Sequence, residues 1–573
     1  MVKLFIYFKG YIKESILGPL FKLLEATLEL FVPLVVAAII DTGIKNSDRS
    51  YIIRMCLILV LLGLAGLVFS VIAQYFAAKA AVGFIKKLKQ KLFSHIQTFS
   101  FTQLDTIGTS TLITRMTNDM NQLQTGVNLS LRLLLRSPFV VFGAMVMAFT
   151  IDVKAALVFV AAIPVLSAVV FGIMIWCIPL YRKVQERLDK VLGLARENLT
   201  GVRVIRAFNT EENEIREFEE KNDEHTIMQK HVGRISSLMN PITYLIINLA
   251  IIALVYTGAI RVESGIITQG AVVALYNYMS QILVELIKLA NLIINITKSV
   301  ACGNRIQAVL EIEPDIEEND KTPEKMKSDI VVEFKDVYLR YKNAGDDSLS
   351  NINFKVRRGE TIGIIGGTGS GKSSLVNLIP RFYDATSGEV IIESINVKDY
   401  PVEQLRKKIA AVPQKAVLFK GTVRENIRWG KNDASDEEIY EALTISQAKE
   451  MVESKGGLDY EIEQGGRNLS GGQKQRLTIA RALIKKPEIL ILDDSASALD
   501  YATDAAFRKS IREMEHTPTV FIVSQRTSSI QYADNIIVLE DGKIAGIGKH
   551  HELMESCQVY REIYDSQFKK EGA

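Results

Sequence analysis

The sequence predicts an all-α transmembrane domain of six helices followed by an α/β domain built around a phosphate-binding loop. Three observations predict it. Apolar residues make up 48% of the 573, and they crowd into the first half in runs long enough to cross a bilayer. From about Val331 the pattern changes to short β-branched runs alternating with helical periodicity. One such run, Thr361–Ile365, leads into the glycine-rich stretch Gly366–Ser373 and then into a helical pattern.

Composition excludes several classes. A chain of 573 residues is too long for one ordinary domain. A net charge of +3 leaves no basic footprint, so no nucleic-acid partner is expected. The four cysteines, Cys56, Cys177, Cys302 and Cys557, are scattered and form no CxxC pair, which argues against a disulfide framework or a zinc site. The 6 histidines add no metal-ligand spacing, and no low-complexity tract is present.

The six spans are placed at Ile16–Ile40, Met55–Gly83, Pro138–Ile151, Ala155–Leu180, Pro241–Ile260 and Ala271–Val300. The third is short and needs Leu131–Leu135 to complete it. Odd-to-even connections are short, whereas spans two to three and four to five are joined by long polar segments of helical pattern. Those segments carry Lys86, Lys87, Lys89, Lys91, Arg182, Lys183, Arg187, Lys190, Arg203 and Arg206, so they and both termini are assigned to the cytoplasmic side. Because spans run into them without a break, they are expected to be helices projecting beyond the bilayer. Residues 1–15, with Phe5, Tyr7, Phe8 and Tyr11 among lysines, suit an interfacial elbow helix. The transmembrane domain is taken as 16–300, a linker punctuated by Pro314 and Pro323 as 301–330, and the α/β domain as 331–573. No small-residue cleavage site follows the first span, so it is not expected to be a secretory signal.

Gly366-Gly367-Thr368-Gly369-Ser370-Gly371-Lys372-Ser373, followed by Ser374, is a P-loop in its required strand-to-helix setting. Glycines let successive N–H groups face a phosphate at the positive end of a helix. Lys372 would reach the β/γ-phosphates and Ser373 would ligate Mg²⁺. Glu488–Asp493 is an apolar strand ending in an acid; Asp493 would hold Mg²⁺ beside the P-loop. Between them, Leu469-Ser470-Gly471-Gly472-Gln473 offers a hydroxyl and glycine N–H groups at a second helix start. One nucleotide does not need two cradles from one domain, so this second one suggests a nucleotide held by another domain.

The order of P-loop, Val-Pro-Gln414, LSGGQ, acid-ended strand and Ser-Ala-Leu-Asp500 resembles the ATP-binding cassette (ABC) superfamily. Six spans ahead of one cassette resemble an ABC exporter half-transporter, and Leu112–Asp119 and Glu197–Phe208 add to the match. The resemblance covers essentially the whole chain. It implies that Tyr341 stacks on adenine and that Gln414 contacts Mg²⁺ and the attacking water. It implies that Leu469–Gln473 binds ATP on a partner, and that Asp500 lies at the cassette–cassette interface. ATP and Mg²⁺ are the implied cofactors.

Two positions depart from the family pattern. Asp494 stands where the family usually has Glu, the residue that activates water; Asp is one methylene shorter, roughly 1 Å of reach, and such misplacement costs on the order of 100-fold. Gln525 stands where the switch histidine belongs and cannot become positively charged. Together they imply a degenerate-site subunit of the kind found in bacterial heterodimeric multidrug ABC exporters: slow hydrolysis at this chain's own P-loop, fast hydrolysis at the partner's P-loop completed by this chain's LSGGQ. The alternative is an active homodimer that tolerates both replacements. Gln464, where exporters often carry Glu, is a smaller departure.

Glu25 and Glu29 lie on one face of the first span. Asn277, Gln281, Glu285, Lys288, Asn291 and Asn295 form one polar stripe on the sixth. Lipid does not tolerate such groups. Glu25, Glu29, Asn277, Gln281 and Glu285 are therefore candidates for a substrate cavity, in which Glu25, Glu29 or both would favour cations; the competing readings are placement at the membrane interface or an interhelical salt bridge, with Glu285 and Lys288 neutralising each other. The expected function is ATP-driven export of small hydrophobic or amphipathic compounds across a bacterial-type cytoplasmic membrane. A homodimeric lipid or peptide exporter and an ATP-gated channel or regulatory membrane subunit are the alternatives.

Overall fold

The computed structural model describes residues 2–316, 329–342, 344–495, 500–514 and 516–568. The linker residues 317–328, with Pro323, and Ser497–Leu499 of the Ser-Ala-Leu-Asp motif lie outside the described residues. The chain divides into two compact units, Met1–Gln97 with Ser110–Ile312, and Thr98–Thr109 with Glu313–Ala573.

Six helices of the first unit are long and apolar enough to cross a membrane: Ile12–Ile44, Arg49–Ile96, Thr109–Ile151, Val153–Phe208, Glu211–Glu263 and Gln269–Leu310. The fourth runs unbroken for 56 residues, about 84 Å at 1.5 Å per residue and well over the bilayer's hydrocarbon thickness. The sixth continues to Leu310, so the first ten residues assigned to the linker are its last turns. The short third apolar run is completed by helix on its N-terminal side, Met120–Leu133, as its length demanded.

Small residues let the spans approach. A Cβ on Gly18 would meet the backbone of Ala77 at 3.3 Å, and Ala73, Ala77 and Ala80 are fully buried. Val2–Phe8 forms a 3₁₀ helix whose Phe8 stacks on Phe84 at 4.3 Å. Tyr11 fills the space beside Gly83, where any Cβ would overlap its ring. Leu57, Leu61, Leu64, Leu67 and Val71 stay exposed along one helix, as an apolar solvent permits.

The second unit is α/β. Its strands are β1 (Ile330–Leu339), β2 (Leu349–Arg357), β3 (Thr361–Gly366), β4 (Ser387–Ile392), β5 (Ile395–Asn396), β6 (Ile409–Val412), β7 (Gly421–Thr422), β8 (Glu461–Ile462), β9 (Ile489–Asp493), β10 (Thr519–Val523), β11 (Asn535–Glu540) and β12 (Lys543–Gly548). A four-stranded sheet has the order β2-β1-β4-β5, a six-stranded sheet the order β12-β11-β3-β10-β9-β6, and β7 pairs with β8. From β11 to β6 the larger sheet is parallel. Both of its faces are covered, which is why β9 reads Ile-Leu-Ile-Leu without polar alternation. Ile489 and Ile491 join Phe334, Leu375 and Phe521 in one core; Leu490 and Leu492 join Leu418, Ile479 and Val538 in the other.

The segment Thr98–Thr109 belongs with this unit rather than with the bundle. Its helix Phe101–Ile107 starts in a Ser100–Gln103 capping box. Gln103 Nε2 donates to Glu313 O at 2.6 Å and to Asp315 Oδ1 at 2.9 Å.

Candidate nucleotide site

The parallel order sets the site. β6, β9, β10 and β3 are neighbours, so the residues just past their C-terminal ends converge on one edge, the ordinary ligand position of an open α/β sheet. Val523 pairs with Asp493 and with Ile364, and Val412 with Leu492. One cavity is accordingly lined by Thr368, Gly369, Lys372, Ser373, Gln414, Asp493, Asp494, Val523, Ser524 and Gln525. Residues far apart in sequence meet because four strand ends are aligned.

The loop after β3 turns at Gly371, whose φ of +93° and close approach to Ser348 O exclude a side chain. The helix Lys372–Leu378 follows. Lys372 is 8% exposed, and its ammonium donates to Gly366 O at 2.9 Å and Gly367 O at 2.6 Å. Burial pulls its pKa below the usual lysine value, against the attraction of Asp494 and Asp493. The Ser370 hydroxyl is buried and has no hydrogen-bond partner among the described residues. A buried donor aimed nowhere, in a glycine loop beside a cation, fits a phosphate.

Ser373 Oγ donates to Asp493 Oδ1 at 3.0 Å. Burial raises the Asp493 pKa, with the Ser373 hydrogen bond opposing it. Gln414 Nε2 donates to Asp494 Oδ2 at 3.2 Å, leaving the Gln414 carbonyl oxygen as an acceptor. Asp494 sits at φ +47°, a left-handed conformation that Asp tolerates, and its N–H donates to Val523 O at 2.9 Å. Hydroxyl, carboxylate and amide oxygens of this kind are hard donors that fit Mg²⁺.

At the loop's flank, the Tyr341 hydroxyl bonds Ser374 Oγ at 2.9 Å, and its ring stands at 90° to Tyr383, 5.1 Å away. Tyr383 in turn donates to Asp105 Oδ2 at 2.7 Å, and Phe101 packs on Phe382 at 4.7 Å. Burial, with Asp105 adding to it, raises the Tyr383 pKa, so the phenol stays a donor. Sequence reasoning missed this pair: Asp105 lies in a polar stretch between two spans and carries no motif.

The other predicted cradle stands apart. Ser470 N-caps the helix Gly471–Leu483, with Gln473 completing a capping box. Ser470 and Gly471 are exposed, and none of Leu469, Ser470, Gly471, Gly472 or Gln473 lines the P-loop cavity. Asp500 caps the helix Tyr501–Arg512 through Thr503, whose backbone N–H holds its carboxyl below the usual range.

In the membrane unit the candidate acids are all paired. Lys22 Nζ donates to Glu25 Oε1 at 2.7 Å and to Ser70 at 3.2 Å. Arg136 joins Glu29 Oε2 at 2.6 Å to Glu285 Oε1 at 2.7 Å, and Ser137 and Lys288 complete the shell of Glu285 at 2.9 and 2.8 Å. Glu25 and Glu285 are buried, while the Glu29 side chain is 44% exposed. The ion pairing held open by the sequence is what these contacts show: three carboxylates meet the three bases Lys22, Arg136 and Lys288. Asn277 and Gln281 are half-buried on the sixth span. Arg136 was the missing partner. It follows the apolar run Leu133–Leu135 and reads in sequence as a flanking charge.

Comparison with known proteins decides the family. Residues 15–286 match the model of the ABC transporter transmembrane region, and residues 349–497 match a second model, that of the ABC transporter. The Bacillus subtilis protein YfiB, an uncharacterised ABC transporter ATP-binding protein, is 36% identical over 100% of both chains. The chain belongs to the ABC transporter family. Its six apolar helices followed by a nucleotide-binding domain match the ABC exporter fold: a bacterial Atm1-family ABC exporter with ATP bound superposes with a TM-score of 0.82, at 21% identity, over 99% of each chain. Bacillus subtilis YgaD, whose name assigns it to multidrug export, is 32% identical over 98% of each chain. The exporter is thus a multi-pass membrane protein with six spans, and its C-terminal domain binds ATP.

Proposed function

We propose that this exporter is one subunit of an asymmetric pair that moves small hydrophobic or amphipathic compounds out across a bacterial cytoplasmic membrane. The observation that carries the proposal is that Asp494 and Gln525 face one cavity with Lys372, Ser373 and Gln414. Both departures from the family pattern fall on the same chemical step, the attack of water on the γ-phosphate.

In this reading Tyr341 stacks on adenine and the Gly366–Ser374 backbone cradles the phosphates, with Lys372 neutralising them. Ser373, Asp493 and Gln414 would hold Mg²⁺, which supplies charge neutralisation at the phosphates when bound. Asp494 orients water from one methylene too far away, and Gln525 hydrogen-bonds the γ-phosphate without a positive charge. The loss is that of a well-placed general base, on the order of 10²–10⁴-fold. Ser470 and Gly471, exposed at a helix N-terminus, and the half-buried Gly472 complete the partner's site, where fast hydrolysis occurs; Asp500 lies between the cassettes. ATP binding closes the cassettes, and its energy enters through differential affinity for inward- and outward-open states. The elbow 1–15 lies in the membrane interface, exposing Phe5 and Ile6 to it.

The electroneutral set around Arg136 supports amphipathic rather than strictly cationic substrates, and the name of YgaD points the same way. The test is Asp494→Glu with Gln525→His in the purified complex. Turnover of ATP should rise by tenfold or more at this chain's site; no gain would overturn the degenerate-site account.

A further inference from the structure

The loop that presents Gln525 to the cavity is held from three directions. Ser524, buried, donates its N–H to Ile364 O on β3 at 3.0 Å, and its hydroxyl accepts from Arg526 N at 2.9 Å. The Arg526 guanidinium lies over the Tyr501 ring, 5.8 Å from its centre. The third hold comes from the C-terminal helix Gln558–Phe568. Gln567 Oε1 accepts from Thr527 N at 2.9 Å and from the Thr527 hydroxyl at 3.0 Å, while Gln567 Nε2 donates to Gln525 O at 2.8 Å.

Thr527 is fully buried and opens the four-residue helix Thr527–Ile530, for which Arg526 provides no side-chain cap. Gln567 therefore caps that helix from a different one. Reversing its amide would set an NH₂ group against the Thr527 N–H, so these contacts fix the orientation. The platform is itself anchored: Tyr560 is fully buried, its hydroxyl bonds His550 Nδ1 at 2.8 Å, and Tyr564 packs on the same imidazole at 5.4 Å. One amide thus clamps the residues on both sides of Arg526 and sets the backbone from which the Gln525 side chain projects.

We propose that Gln567 is a positioning residue for the switch position, so that the C-terminal helix governs the rate of hydrolysis at this chain's own nucleotide site without touching nucleotide. The inference rests on the reading that Gln525 faces the γ-phosphate. Gln567 contacts neither the P-loop nor Tyr341, so its removal should leave ATP binding intact and change only the chemical step. A displacement of order 1 Å at such a loop costs up to about 100-fold, and with two other anchors remaining a fall of about tenfold is expected.

The experiment uses the full complex purified through a tag on this chain, carrying Asp494→Glu and Gln525→His so that the site turns over. Adding Gln567→Ala should lower kcat about tenfold with KM for ATP unchanged. Gln567→Glu keeps the acceptor for Thr527 but loses the donor to Gln525 O. It should stay slow if positioning is the role, and recover fully if the side chain serves only as a helix cap. An unchanged kcat in Gln567→Ala, a KM that rises in step with the loss, or full recovery in Gln567→Glu would each overturn the proposal. If the doubly restored chain is no faster than the parent, the degenerate-site reading fails on its own. Hydrogen exchange of residues 524–528 with the slowly hydrolysed analogue ATPγS bound then decides the positioning claim. Protection lost only there in Gln567→Ala supports it, and unchanged protection refutes it.

Discussion

Replacing Arg136 by Met should destabilise the membrane domain far more than replacing Lys288 by Met, although both bases contact Glu285. The Arg136 side chain is 7% exposed and joins Glu285, 5% exposed, at 2.7 Å; the Lys288 side chain is 46% exposed. Removing one partner of a buried ion pair costs about 3–5 kcal/mol, because a charge is left uncompensated. Glu285 keeps Lys288 and Ser137, which places its loss at the lower end, about 3 kcal/mol. Glu29 is half-exposed, so its lost contact adds no more than about 1 kcal/mol. Arg136→Met should therefore cost about 3–4 kcal/mol and Lys288→Met about 1 or less. The assay is the unfolding free energy of the purified full-length protein, titrated with denaturing detergent in mixed micelles. Adding Glu285→Gln to Arg136→Met should recover about half of the loss, since the stranded charge disappears. An Arg136→Met cost within about 1 kcal/mol of the parent, or a Lys288→Met cost equal to it, would refute the burial argument.

Other outcomes follow from the same geometry. Lys372→Ala should abolish binding of ATP at this chain's site, read as loss of photolabelling by an azido-nucleotide on this subunit alone. Tyr383→Phe removes the hydrogen bond to Asp105 and should weaken stimulation of ATP turnover by transported compound while leaving KM for ATP unchanged. Burial alone would raise the Glu393 pKa, but hydrogen bonds from Lys408 and Arg358 outweigh it and lower it to about 2. Its folded value lies below its unfolded one, so it adds stability that is present above pH 4.5 and lost as pH falls towards 2. Glu393→Gln should flatten the acid limb of the nucleotide-binding domain's stability curve across that window; an unchanged limb would exclude the role.

The two halves of the fold were legible for different reasons. The spans were readable because a bilayer imposes length and apolarity on each helix separately. The P-loop, Asp493 and the signature were readable because each is a local pattern with its own strand or helix beside it. Asp494 and Gln525 stood out only against those patterns. What escaped was non-local. Arg136 pairs with groups on two other helices, and its role depends on their packing. Asp105 reaches Tyr383 across 278 positions, and Gln567 reaches Gln525 across 42. No periodicity or motif announces such contacts, and a glutamine near the end of an amphipathic helix reads in sequence as a solvated residue. The partners of Glu25, Glu29 and Glu285 were hidden for the same cause: Lys22 and Lys288 lie within the first and sixth spans and Arg136 beside the end of an apolar run, and which base meets which acid is set by packing.

If the proposed asymmetry holds, this exporter functions beside a different half-transporter that supplies the competent site. Native mass and peptide identification of the complex, pulled from its own membranes through a tag on this chain, test it most directly. The account predicts a second half-transporter in one-to-one ratio, carrying Glu and His at the positions equivalent to Asp494 and Gln525. Only copies of this chain, with ATP turnover above background, would contradict it and show that Asp494 itself serves as the general base.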